Sequence, residues 1–261
     1  MAIDKIPPGE IRITAERLFD EVDFPQDSHL TALIDHALAP DTALLDAWPG
    51  GRPSCFNLLH YLSGAEERVS PLLVELPTHR ESRLEAIRYL LRKCNGQPMF
   101  SVLASPLSFV ALVAHLAHFT QVHLPPDGGI YLLRFSDTRI APTIARLLDP
   151  AQRSQMFGPL HRWAYLDRAR NWTSLSGEGS TTIAGGPLLT LSEAQFDAFV
   201  HATLPDNFLA QLREEFPAFA ELEPSGQHRL VCHWISQANE AAGGQAEPGE
   251  CLAYCKDSLA A

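Results

Sequence analysis

The chain has 261 residues, 46% of them hydrophobic and 20% charged. These proportions exclude wholesale disorder, and a chain of this length buries a sizeable core without disulfide or metal staples. Its 31 acids against 20 bases give a formal charge of −11, which repels phosphate backbones and argues against nucleic acid as a partner.

The excess charge is uneven. Residues 187–261 hold 11 acids and only 3 bases. This shift sets a boundary near Gly185 and Gly186, between an α/β core over 1–185 and an acidic helical C-terminal region over 186–261. The opening segment, MAIDKIPPGEIRITAERLF, lacks the apolar stretch of a secretory signal. Five widely spaced cysteines, including the Cys251/Cys255 pair, read as reduced thiols of a cytoplasmic protein.

In chain order, LTALIDHA (30–37) fits either a helical face or a short strand. APDTALLDAWPGG (39–51) predicts a brief helix ended by Pro49. PLLVELP (71–77) predicts a buried strand, and the following segment puts Leu84, Ile87, Leu91 and Cys94 on one helical stripe. From Asn95 to Pro126 there is no Asp, Glu, Lys or Arg. Ser105-Pro106 divides that stretch into a strand over 99–104 and a helix over 106–118, each too short to span a bilayer. A turn at 125–129, a strand over 130–135 and a helix over 138–150 with Pro142 in its first turn follow. Strand and helix alternating in this way predict an α/β fold with a mixed, mainly parallel sheet, flanking helices and a C-terminal helical region.

The segment 158–175 predicts an edge β-hairpin, and 176–186 a flexible loop. Ser192 and Gln195 form a capping box, with Phe196, Phe199 and Val200 on one helical face. Helices over 205–216 and 227–242 complete the tail, and the last residues read as loosely ordered.

No nucleophile elbow, phosphate loop, dinucleotide fingerprint or zincin motif is present. His115, His118 and His123 could approach a metal, but no acid or cysteine lies near them in sequence. Buried or partner-facing imidazoles are the favoured reading, with no metal and no cofactor. Arg134, Asp137 and Arg139 sit where a strand gives way to a helix. There Asp137 could cap the helix and pair with Arg139, or the pair could meet a partner or a small-molecule substrate. Arg80, Arg83, Arg88, Arg92 and Lys93 read as a solvated helix face, with an acidic partner as the sharper option. Phe196, Phe199, Phe208, Phe216, Phe219 and Trp234 are candidate docking residues, with ordinary core packing as the alternative for each.

Taken together, LTALIDHA, PLLVELP, Ser105-Pro106 before the helix bearing His115-Leu116, LRFSDTR (133–139) and MFGPLHRW (156–163) form an ordered series. Over roughly residues 30–170 this series resembles the type VI secretion effector chaperone, or adaptor, family. Arg134, Phe135, Asp137 and Arg139 match the family's strand-end pattern, while Ser136 replaces an aromatic and Thr138 a proline. Gly158, Pro159 and Trp163 match a later pattern. The resemblance favours a strand at 30–35. It implies a non-enzymatic cytoplasmic protein that binds a secreted toxin effector and helps load it onto the VgrG spike, with the variable tail choosing the effector. An immunity-type toxin binder, or a hydrolase or transferase using the Asp/Arg pair, are the alternatives. The partner-binding candidates are Arg134, Asp137, Arg139, His115, Trp163, Phe196, Phe199 and Trp234.

Overall fold

In the computed structural model, residues 2–40, 42–60, 69–125 and 128–260 are described. Helix α1 (Ile11–Glu21) precedes β1 (His29–Asp35), β2 (Cys55–Asn57) and β3 (Pro71–Glu75). Then come α2 (Arg80–Lys93), β4 (Phe100–Ser105), α3 (Phe109–His118), β5 (Gln121–Leu124) and β6 (Gly129–Leu132). Helices α4 (Ala141–Leu147) and α5 (Pro150–Phe157) lead to the hairpin β7 (Arg162–Leu166) and β8 (Trp172–Ser176). Strand β9 (Leu189–Thr190) introduces α6 (Glu193–Glu215), α7 (Pro217–Ala220), α8 (Pro224–Ala241) and α9 (Pro248–Ala260).

The expected mainly parallel sheet is not what forms. The large sheet has the order β2-β3-β1-β4-β7-β8, and each of its pairings is antiparallel. A smaller sheet, β6-β5-β9, is antiparallel between β5 and β6 and parallel only between β5 and β9. The physical reason is burial on both faces. In β1, Leu30, Ala32 and Ile34 pack into one core cluster with α1 and α2, while Leu33 packs into a second with α3, α4 and α5. An antiparallel sheet covered on both sides loses its polar alternation, so its strands read as the unbroken apolar runs of a parallel sheet. Each fully buried leucine, such as Leu18 on one side and Leu33 on the other, contributes on the order of 1.5–3 kcal/mol.

Other expectations change in detail. Residues 42–51 form turns, not a helix, because the sequence there closes on Pro49 and two glycines at positive φ; residue 41 lies outside the described residues. Helix α3 begins after Ser108, whose hydroxyl accepts from Ala111 N–H, and Ser105 instead donates to Pro159 C=O at 2.7 Å. The strand expected over 130–135 stops at Leu132, where the chain turns so that Leu133 and Phe135 enter the core. The turn expected at 125–129 includes residues 126 and 127, which lie outside the described residues.

The hairpin forms as read, with β8 at the sheet edge and Asp167 Oδ1 accepting from the N–H groups of Ala169 and Asn171 to hold its turn. The loop over 176–186 is tied down: Glu178 and Ser180 N–H donate to Gly158 C=O.

In the tail, α6 runs 23 residues straight through Pro205, where two separate helices were expected. Pro205 is buried, and the tertiary contacts of that stretch carry the helix past the missing N–H. The loosely ordered terminus is also replaced: α9 is a helix whose Cys251 and Cys255 are fully buried in a third cluster with Leu209, Leu212 and Val231. All five cysteines are free thiols. Among the described residues no helix is long and apolar enough to cross a membrane.

Candidate functional site

The segment Leu133 to Ile140 builds the site from local bonds. Asp137 N–H donates to Arg134 C=O, and Ile140 and Ala141 N–H both donate to Asp137 C=O, which starts α4. Thr138 N–H reaches across to Pro98 C=O at 2.9 Å, fixing the turn beside the start of β4. The Asp137 carboxylate does not cap α4. Its Oδ1 accepts from Arg139 N–H and Nε, and its Oδ2 from Arg139 Nη2, so both oxygens are engaged by one residue.

The pair belongs to a larger ionic network. Arg139 Nη1 donates to Asp206 Oδ1 on α6 at 3.4 Å, and Arg168, just past β7, donates to Asp206 Oδ2 at 2.5 Å. Burial by itself would lower the Arg139 pKa, but its bonds to Asp137 and the nearby Asp206 and Asp35 more than offset this and raise it. Beside it Arg134, half exposed, donates to the buried Asp35 at 2.9 Å. For Asp35 the balance tips the other way: burial outweighs Arg134 and pushes its carboxyl above the usual range.

Next to these ions lies an apolar groove of about 350 Å³. Its floor comes from Val122 and Leu133, one side from Ile140, just before α4, with Ile144 and Leu147 of α4, and its roof from Phe196 and Phe199 of α6. The roof is held at both ends. At the N-terminus two capping boxes interlock: Ser192 with Gln195, and Asp149 with Gln152. Gln195 Nε2 donates to Leu147 C=O at the end of α4 and to Gln152 Oε1, and Gln152 Nε2 donates to Thr190 C=O. Farther along, Asp206 holds the helix to Arg139 and Arg168.

The structure therefore brings Arg134, Asp137, Arg139, Phe196 and Phe199 to one groove. The other three candidates lie elsewhere. Trp163 is fully buried against Phe135 and Phe157, with ring centroids 6.0 and 5.6 Å away. His115 is also fully buried: Nε2 donates to Met156 C=O at 2.9 Å and Nδ1 accepts from Ala184 N–H at 3.0 Å, with burial the main force holding its pKa down. Trp234 packs on Phe219 in the helical cluster. Among the described residues no group of His, Cys, Asp or Glu is arranged to hold a metal. Of the basic residues on α2, Arg88 pairs with Glu16 of α1 at 3.0 Å and Arg83 donates to the carbonyls of Pro77 and Thr78.

Sequence reasoning missed Asp206, Arg168, Asp35 and the interlock of Gln195 with Gln152. Only the capping boxes left a local signal; Asp206 reads as one acid among many in an acidic tail.

Neither the curated proteins nor the solved structures yield a match to this chain. Residues 31–155, just under half of the chain and covering β1 through most of α5, match the family model described as Domain of unknown function (DUF4123).

Proposed function

We propose that the protein is a non-enzymatic adaptor that holds a toxin effector of a type VI secretion system and helps load it onto the VgrG spike. The family matched over residues 31–155 is associated with type VI secretion effector adaptors. The observation that carries the reading is the groove between that matched segment and the helical tail: an apolar trough roofed by Phe196 and Phe199, with the half-exposed Arg134 at its end. Such a trough suits an apolar stretch of polypeptide followed by an acidic residue that meets Arg134. The Asp137 carboxylate, saturated by Arg139, is already committed to structure, which supports binding over acid–base chemistry.

The test is co-expression with the toxin and spike proteins encoded beside it. Co-purification of the toxin, secretion that requires this chain, and loss of both in Phe199→Asp are the expected results. Toxin that neither co-purifies nor needs this chain for export would end the proposal. An immunity role would appear in the same cells as rescue from the toxin.

A further inference from the structure

A second cavity, of about 450 Å³, shares Arg139, Ile140, Thr203 and Asp206 with the groove. Its walls come from both parts of the chain: Arg146 of α4 and Arg168 after β7, together with His201 of α6 and His228 of α8. The hydrogen-bond accounting of these walls is one-sided. The two carboxylates present are spent. Asp206 gives one oxygen to Arg139 and one to Arg168, and Asp167 gives both to the turn at Ala169 and Asn171.

The donors are not spent. Arg146 is exposed and makes no ion pair or hydrogen bond among the described residues, and the same holds for the half-buried His201. Arg168 Nη1 is buried without an acceptor. His228 meets only the Sγ of Cys232, 3.6 Å away. Buried donors without acceptors are costly, and a site with surplus guanidinium and imidazole N–H donors and no free carboxylate is matched by an anion. Burial first, and then Arg168 and Arg139 against Asp206, push the His228 pKa down to about 4, so its imidazole is neutral and offers one N–H as a donor. Apolar faces of Ile3, Pro142 and Ile235 complete the walls, and the volume falls in the range of small-molecule sites.

We propose that this cavity binds a small organic oxyanion, a phosphate or carboxylate on a compact apolar body, between the sheet core and the C-terminal helices. The bound anion would accept from Arg146 and the two imidazoles, and would tighten the seam that Asp206 already closes. This goes beyond the adaptor reading and does not depend on it, because effector capture is read out separately.

The experiment is calorimetry and thermal melting of the full chain with phenyl phosphate, benzoate and, as the uncharged analogue, phenol. Binding and a raised Tm with one or both anions and not with phenol are expected, and the stronger of the two names the oxyanion. Arg146→Ala and His201→Ala, both at unpaired side chains that the fold does not need, are expected to weaken binding roughly tenfold each. Arg80→Ala on the distant α2 is expected to leave it unchanged. Absence of binding by either anion at millimolar concentration, equal binding of phenol, or full affinity in both variants would overturn the proposal.

Discussion

Arg139 and Asp206 are 67 residues apart in the chain, yet the guanidinium of one donates to the carboxylate of the other across the seam between α4 and α6. Arg168 approaches the same carboxylate from the hairpin, so Asp206 bridges two guanidiniums, one of them already paired with Asp137, and holds the helical tail to the core.

That arrangement predicts a large penalty at one position. Asp206→Ala leaves Arg168 without a carboxylate in a largely buried setting, while Arg139 keeps Asp137, and breaking such a pair costs about 3–5 kcal/mol. Urea unfolding of the variant is expected to show a clearly lower midpoint, with Glu214→Ala on the exposed face of the same helix as the near-neutral comparison. Equal midpoints would mean that the tail is held by its apolar contacts alone.

Asp35 offers a pH test. Its folded pKa is raised above 3.8 by burial, with Arg134 opposing. A carboxyl raised in the fold binds its proton more tightly there than in the unfolded chain. The stability it lends is present below the unfolded pKa and is lost as pH rises through the folded one. Arg134→Met removes the opposing cation, so Asp35 is expected to titrate higher still. Carboxyl-resolved NMR titration of both proteins checks the order, and a downward shift in the variant would refute it.

The histidines act in the opposite sense. His115 is held below 6.5 and His228 at about 4, both chiefly by burial. Their depressed values favour the fold above the unfolded pKa, and that contribution is lost as pH falls from about 6.5 toward 4. Stability measured across this window is expected to decline with acidification, and His228→Gln to flatten the decline.

At His115 the bonding also matters. His115→Leu strands Met156 C=O and Ala184 N–H, at a cost of about 1–3 kcal/mol for each group left unpaired. Denaturant melts are the measurement, and hydrogen exchange at Ala184 is expected to quicken as the loop loses its anchor.

Two glycines of one loop are expected to differ. A Cβ on Gly177 would run into the carbonyl oxygens of Phe157 and Leu160, whereas one on Gly185 meets nothing within 4 Å. Gly177→Ala is expected to cost about 1–3 kcal/mol, in the manner of overpacking, and Gly185→Ala close to nothing. Comparable melting temperatures for the two variants would show that the loop is as loose as its composition suggests.

Much of this was written locally. Ser192 and Gln195, Leu84 with Ile87 and Leu91, and the polar turn of the hairpin after Trp163 each announce their element, because caps, helical stripes and tight turns involve neighbours in sequence. Local patterns located most of the strands and helices, but residues 42–51 form turns and 248–260 a helix against expectation, and the spacing of Asp137 and Arg139 left their pairing open among several options. Strand direction was decided only in three dimensions, since an apolar run such as LTALID is equally at home in either orientation once helices cover both faces. So were the groove and the seam: Phe199 packs against the cluster that holds Ile144, and Asp206 meets Arg139 and Arg168, only after the tail has folded back onto the core. Contacts between distant residues depend on how whole elements stack, and no spacing rule within one segment encodes that.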